Sequence, residues 1–101
     1  MWVLVMFDLP VKSKQQRKRA TKFRQYLKQD GFNMLQFSVY SRPSPSEENA
    51  IVHCNRVKAE MPTDGQVRIL RFTDKQYARM ECFFSRKPKD HERIPEQIEL
   101  F

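Results

Sequence analysis

The sequence predicts an α+β fold in which two helices cover one face of an antiparallel sheet. Two segments with helix start and stop signals alternate with short apolar segments rich in strand-forming residues. The chain has 101 residues, of which 40% are hydrophobic, so it can form one packed core and has little room for a second. We therefore expect one domain at 1–84, followed by a polar loop and a C-terminal strand at 85–101.

The first strand is predicted at Trp2–Phe7, a continuous apolar run that ends before Leu9-Pro10. Continuity rather than alternation indicates that both faces of this strand are covered. Two helices cover only one face of a sheet, so a second copy of the chain is the simplest cover for the other face. We therefore expect a homodimer that forms through the sheet face.

The first helix is predicted to begin at Lys14 and to end at about Gln29. Ser13, with Gln16 three residues later, is typical of a capping box, and Gly31 is typical of a left-handed C-cap. The helical period predicts that one stripe of this helix is buried and that most of its cations point outward. The expected buried stripe consists of Gln16, Ala20, Phe23 and Leu27, flanked by Tyr26.

The formal net charge of +7 lies entirely in the first half of the chain, because residues 47–101 carry ten cations and ten anions. Between Asp8 and Asp30 there are eight Lys or Arg residues and no acid. Their mutual repulsion lowers helix stability, which favours a polyanion-binding surface over a merely solvated helix face. The candidate nucleic-acid-binding residues are Lys14, Arg17, Lys18, Arg19, Lys22, Arg24 and Lys28.

Residues 32–42 alternate in polarity and could form one long strand or two short strands about a kink. In that alternation Leu35, Phe37 and Val39 share one side. Ser46 is the expected N-cap of a second helix at about Glu47–Met61. Its apolar stripe is expected to consist of Ala50, Cys54, Val57 and Met61.

The remaining pattern predicts a strand at Val67–Phe72, one helical turn that begins in Thr73–Gln76, and a strand at Glu81–Phe84. Residues 85–96 are polar and contain two prolines, which predicts a mobile loop. Gln97–Phe101 alternates like a short strand that could pair at a dimer edge. In order, these elements fit a ferredoxin-like βαββαβ sandwich with an extra C-terminal strand.

Asp8 is the one ionisable residue at the end of an otherwise apolar strand. It could cap the following turn, or it could bind a hard cation. One carboxylate holds Mg²⁺ poorly, but a symmetric dimer could bring two copies of Asp8 together if the strands meet near the axis. Such a pair could bind Mg²⁺ and activate water against a phosphodiester. Both interpretations remain open at this point.

Other catalytic arrangements lack support in the sequence. Cys54 and Cys82 have no zinc-ligand spacing and fit core positions, and His53 and His91 have no suitably spaced partners. No glycine-rich phosphate loop is present. We expect no membrane span, and a cytoplasmic protein with reduced thiols.

Four groups of residues, in this order and spacing, resemble the second core CRISPR-associated protein family, the small dimeric partner of the CRISPR integrase. They are Phe7-Asp8-Leu9-Pro10, Thr21–Arg24, Gly31-Phe32 with Met34–Ser41, and Val67–Leu70 with Thr73–Gln76. The resemblance implies a ferredoxin-like homodimer and favours two strands in 32–42. It also implies a metal-binding and catalytic role for Asp8, with Mg²⁺ or Mn²⁺ shared between two copies, and phosphate contacts by Arg17 and Arg19. The family often has Tyr where this chain has Phe7.

Three functions follow from the sequence and the resemblance together. The first is a DNA-binding subunit that bridges integrase dimers during spacer acquisition, with double-stranded spacer-precursor DNA and the CRISPR integrase as partners. The second is a metal-dependent endoribonuclease, with single-stranded RNA as the first substrate to test. The third is a stand-alone, toxin-like ribonuclease related to virulence-associated D proteins. Residues 85–101 are expected either to pair at the dimer edge or to dock on the integrase.

Overall fold

The chain folds into a four-stranded antiparallel sheet, with its two long helices on one face and a separate two-stranded hairpin near the end. The computed structural model describes residues 1–91. The strand order in the sheet is β2-β3-β1-β4, which confirms the predicted ferredoxin-like architecture. The elements are β1 (Trp2–Asp8), α1 (Lys14–Gln29), β2 (Asn33–Gln36), β3 (Val39–Pro43), α2 (Glu47–Ala59), β4 (Gln66–Phe72), α3 (Asp74–Ala78), β5 (Cys82–Phe84) and β6 (Lys87–Lys89).

Local signals define both ends of α1 as predicted. The Ser13 side chain accepts a hydrogen bond from the Gln16 backbone N–H, and the Gln16 side chain accepts one from the Ser13 N–H. At the other end Gly31 has a φ of +87°, and the Phe32 N–H donates to the Leu27 carbonyl at 2.9 Å. This is a Schellman motif, which satisfies the last carbonyls of the helix.

β1 lies in the centre of the sheet and has two different faces. Val3, Val5 and Phe7 are buried in the core that the helices cover, together with residues such as Phe23 of α1. Leu4 and Met6 point to the opposite face, where they are half-buried. Within a single chain one face of this strand is therefore covered by the helices, and the opposite face is covered only at its Trp2 end.

The face opposite α1 and α2 has three zones along the strands. At one end α3 covers it, because the Tyr77 ring stacks on Trp2 with the ring centroids 4.0 Å apart. In the middle Leu70 is 50% exposed, beside Leu4 across the β1–β4 pairing. At the other end Asp8 is exposed. We call the uncovered middle and far end of this side of the sheet the open face.

Residues 32–42 form two strands rather than one. Phe37 and Ser38 lie between β2 and β3, and Ser38 has a φ of +61°. Tyr40 is buried in the core, whereas Phe37 is 79% exposed. The turn, together with an irregularity between Met34 and Gln36, interrupts the alternation that a continuous strand would keep.

A polar cluster ties the end of α1 to α2 and β3. His53 Nδ1 lies 2.7 Å from Asp30 Oδ2, and Arg56 donates to Asp30 Oδ1 at 3.1 Å. Arg42 donates to the Asp30 backbone carbonyl. His53 is thus a satisfied core histidine, as the absence of a spaced partner suggested. Helix α2 ends at Ala59, so Met61, which was predicted to continue its apolar stripe, lies outside the helix.

The prediction of a loop at 85–96 was wrong for residues 87–89. Lys87–Lys89 forms a strand that pairs with Cys82–Phe84, and Ser85 and Arg86 make the tight turn between them with positive φ values. The expected domain boundary between 84 and 85 therefore coincides with a hairpin turn. The predicted strand at Gln97–Phe101 lies outside the described residues.

The turn before β4 packs against the segment that follows Asp8. Gly65 has a φ of +92°, and a Cβ atom there would lie 2.7 Å from the Asp8 carbonyl oxygen and 2.9 Å from Leu9 Cδ2. Asp64, next to it, accepts hydrogen bonds from Arg19 and Gln16 of α1. This turn therefore sets the position of the end of β1.

We expect Gly65→Ala to lower the free energy of unfolding by about 1–3 kcal/mol, because it combines an unfavourable φ with a backbone clash. Urea unfolding measures the loss. Gly65→Asn separates the two causes, since Asn tolerates a positive φ but carries the same Cβ. Wild-type stability in Gly65→Asn would show that the close approach to Asp8 does not matter.

Candidate nucleic-acid interface and carboxylate site

Asp8 lies at the end of β1 on the open face. In the antiparallel pairing of β1 with β4, Asp8 is opposite Gln66 and Met6 is opposite Arg68. Since alternate residues of a strand point to the same side, Asp8 and Arg68 share that face. A shallow cleft of about 190 Å³ is lined by Met6, Phe7, Asp8, Gln66 and Arg68.

The donor set in this cleft suits a hard cation but does not complete a site. The Asp8 carboxylate oxygens are of the ligand type that Mg²⁺ prefers. Among residues 1–91, no group of three or more His, Cys, Asp or Glu side chains could hold a metal ion. One chain therefore supplies one carboxylate, Asp8, and further protein ligands must come from elsewhere.

Four of the predicted cations come together on the outward side of α1. Lys14, Arg17, Lys18 and Lys22 line a shallow groove with Thr21 and Gln25, and no acid is among its lining residues. Arg17 is held in place, because its guanidinium donates to the Val11 and Lys12 carbonyls at 3.1 Å each. We call these four side chains the α1 basic groove. Its charge and hydrogen-bond donors suit phosphate oxygens.

Arg19 and Lys28 do not line this groove. Arg19 forms an ion pair with Asp64, with an N–O distance of 3.2 Å, and lies in a second depression beside Lys22 and Tyr26. Burial, and then the charges of Asp30 and Glu60, raise the pKa of Tyr26, so its hydroxyl remains a hydrogen-bond donor at neutral pH. Lys28 is exposed in the last turn of α1.

Arg24 also leaves the outward side of the helix. Its guanidinium carbon lies 5.6 Å from the ring centroid of Phe7 and 5.6 Å from that of Phe37. Arg24 is therefore partly buried between two aromatic rings, at the end of the sheet where Phe7 precedes Asp8. The sequence indicates Arg24 as a site residue by its charge alone, and nothing in it places Phe37 beside that residue.

The basic groove and Asp8 belong to opposite sides of the sheet. Helix α1 packs on the side of Phe7, whose ring lies edge-on to that of Phe23 at 5.2 Å, whereas Asp8 points to the open face. Within the described residues, the cation that lines the cleft with Asp8 is Arg68 of β4, which was not among the predicted site residues. The alternation in 67–72 could have predicted that Arg68 and Leu70 share one side of the strand. It could not have predicted that this strand pairs with β1.

Within residues 1–91, no helix combines the length and apolar character that a membrane span requires.

Comparisons with known proteins identify relatives of this chain. Residues 1–80 match the family model for CRISPR associated protein Cas2. A protein of Flavobacterium psychrophilum named CRISPR-associated endoribonuclease Cas2 is 44% identical over 101 residues, which cover all of this chain and 88% of that protein. A protein of the same name from Parvibaculum lavamentivorans is 45% identical over the whole length of both chains.

A solved structure is similar in fold. The crystal structure of Streptococcus pyogenes Cas2 at pH 6.5 gives a TM-score of 0.62 and covers 83% of this chain and 100% of that one, at 19% sequence identity. At that identity the likeness concerns the fold alone. The family resemblance predicted from the four groups of residues is confirmed by the sequence matches: the chain belongs to the CRISPR-associated Cas2 family.

Proposed function

We propose that this chain is a metal-dependent endoribonuclease that also serves as the nucleic-acid-binding subunit of CRISPR spacer acquisition, and that it acts as a homodimer. The observation that carries the proposal is the pairing of an acid-free basic groove on α1 with an exposed carboxylate, Asp8, on the open face. Full-length relatives that are 44% and 45% identical bear the name endoribonuclease, which supports the hydrolytic part.

The open face is the surface that a second copy would cover. Its centre consists of the apolar residues Leu4, Met6 and Leu70. The side chain of Leu70 is 50% exposed, and those of Leu4 and Met6 are half-buried. An isologous dimer requires a patch that is complementary to itself, and an apolar sheet face meets that requirement. Docking of two open faces would also place both copies of Asp8 at the border of the interface.

A dimer would complete the carboxylate site that one chain leaves partial. Two copies of Asp8 would offer the two carboxylates that a Mg²⁺ ion commonly uses, with water in its other positions. When bound, Mg²⁺ or Mn²⁺ supplies neutralisation of phosphate charge and a more acidic water. The Asp8 carboxylate would hold the cation at the edge of the interface, in the cleft that Gln66 and Arg68 also line.

In the proposed hydrolysis, a bond forms between a water oxygen and phosphorus while the bond from phosphorus to the ribose oxygen breaks. The water gives up a proton to solvent or to a carboxylate, and the departing oxygen gains one. The basic groove would hold neighbouring phosphates of the same substrate. Lys14 follows Asp8 by six residues, which limits the distance between their Cα atoms to about 22 Å.

The same groove supports the role in spacer acquisition. Lys and Arg side chains along a helix contact phosphates without reading sequence, as spacer-precursor DNA of any sequence demands. In a dimer joined through its open faces, the two α1 helices would lie on the outer surfaces. They could then engage double-stranded DNA while an integrase occupies other surfaces, including residues 85–101.

The first prediction from this proposed function concerns the groove. We expect Lys14→Gln with Lys18→Gln to weaken binding to duplex DNA and to reduce the slope of log affinity against log salt by about 2, because two phosphate contacts are lost. Fluorescence anisotropy between 50 and 200 mM salt gives the slope. Lys58→Gln, which removes an exposed cation of α2, is the matched control and should leave the slope unchanged. An unaltered slope in the double variant would contradict the assignment.

The second prediction concerns the dimer. We expect Leu70→Asp to convert the dimer to a monomer, because it introduces a charge in the middle of the apolar open face. Analytical ultracentrifugation measures the mass. Val52→Asp is a matched control, since Val52 is 45% exposed on α2 while Leu70 is 50% exposed. A dimer that withstands Leu70→Asp but dissociates with Val52→Asp would move the interface to the helices.

The third prediction separates the two activities. We expect Asp8→Asn to slow metal-dependent RNA cleavage by more than about 100-fold, and EDTA to abolish cleavage by the wild type, because the charged ligand is lost. A gel assay with a single-stranded RNA measures the rate. The same variant should bind duplex DNA normally and support spacer integration. Cleavage that persists in Asp8→Asn would rule out the carboxylate site, and loss of integration would show that binding and chemistry are not separate.

A further inference from the structure

Arg68 is the cation that lines the same cleft as Asp8. It lies two residues after Gln66 on β4, and the β1–β4 register puts Met6 opposite it and Asp8 opposite Gln66. Both Asp8 and Arg68 are exposed, and both line the same cleft. The cations of α1 cannot take this place without leaving the other side of the sheet.

The guanidinium of Arg68 is oriented but not neutralised. With its amide oxygen turned toward Arg68, the Gln66 side chain accepts hydrogen bonds from Nε at 3.2 Å and from NH2 at 3.0 Å. In the part of the chain that the structure describes, no carboxylate forms an ion pair with Arg68, whereas Arg19 pairs with Asp64 and Arg56 with Asp30. Arg68 therefore retains its charge and its NH1 donors for an external anion.

We propose that Arg68 binds the phosphodiester that is cleaved at Asp8, with Gln66 as its positioning residue. This inference rests on the proposed endoribonuclease function. A guanidinium presents a planar fork of donors that matches two oxygens of one phosphate. Negative charge grows on the non-bridging oxygens as water attacks phosphorus, so a fixed guanidinium stabilises the transition state more than the ground state.

An alternative role for Arg68 is to keep an edge strand soluble, since β4 lies at the border of the sheet. A solubilising cation would be replaceable by any polar residue without effect on the reaction. A phosphate ligand would depend on the guanidinium itself, which gives the test its readout.

The test compares Arg68→Ala and Arg68→Lys with Arg71→Ala. Arg71 is the matched control because it is an exposed arginine of the same strand, paired with Val3, so it points to the helix side. Single-turnover cleavage of a single-stranded RNA is measured with Mg²⁺, and the affinity for that RNA is measured separately in EDTA. Wild type and Asp8→Asn are run in parallel.

We expect Arg68→Ala to lower the single-turnover rate constant by about 100-fold or more and to weaken RNA binding in EDTA by about tenfold. Arg68→Lys should retain part of the rate, since it keeps the charge and loses the fork. Free guanidinium ion added at millimolar concentration should restore part of the rate of Arg68→Ala and none of that of Asp8→Asn. Arg71→Ala should behave as the wild type in both assays.

The outcomes distinguish this inference from the function on which it rests. If Asp8→Asn is inactive while Arg68→Ala matches Arg71→Ala in rate and affinity, the role of Arg68 is refuted and the endoribonuclease proposal stands. If wild type and Asp8→Asn cleave equally, or neither cleaves, the function fails and the inference fails with it. Circular dichroism confirms that each variant is folded, and Arg68→Lys supplies the comparison if Arg68→Ala is not.

Discussion

The two faces of β1 determine on which side of the sheet the core residues and Asp8 lie. The strand pairs with β3 on one side and β4 on the other, so its edges are occupied and its side chains can only point up or down. One face of β1, with Val3, Val5 and Phe7, packs in the core under the helices. The other, with Leu4, Met6 and Asp8, belongs to the open face. A shift of one residue in this register would bury the carboxylate and expose the core. The position of Asp8 is thus a consequence of the same alternation that builds the core.

That alternation also separates the proposed nucleic-acid-binding groove from the proposed site of hydrolysis. The cations of α1 follow Asp8 closely in sequence. In the structure the helix covers the opposite side of the sheet, and its groove of Lys14, Arg17, Lys18 and Lys22 faces outward. A cation for the carboxylate must then come from a strand, and β4 supplies Arg68. The division explains how one small chain could bind DNA of any sequence on its helices while keeping phosphodiester chemistry at another surface.

The elements that the sequence predicted well are those with local signals. The two ends of α1 are set by Ser13, Gln16 and Gly31 through contacts within a few residues. Both predicted ends of this helix were correct. The features that the sequence did not predict depend on contacts between distant parts of the chain or on unusual backbone conformations. Arg68 meets Asp8 through a pairing between strands about 60 residues apart, and nothing in either segment alone specifies that register. The β5–β6 hairpin turns at Ser85 and Arg86, which adopt positive φ without the glycine or asparagine that usually indicates such a turn.

The turn between α2 and β4 connects the two sides that β1 separates. Asp64 accepts hydrogen bonds from Arg19 and Gln16 of α1, and a Cβ atom on the adjacent Gly65 would lie 2.7 Å from the Asp8 carbonyl oxygen. From the same turn β4 leads within a few residues to Gln66 and Arg68. Because a domain of this size buries little surface to resist deformation, such a direct connection matters more here than in a larger protein. One turn therefore sets the helix that carries the basic groove, the carboxylate and the arginine in a common frame.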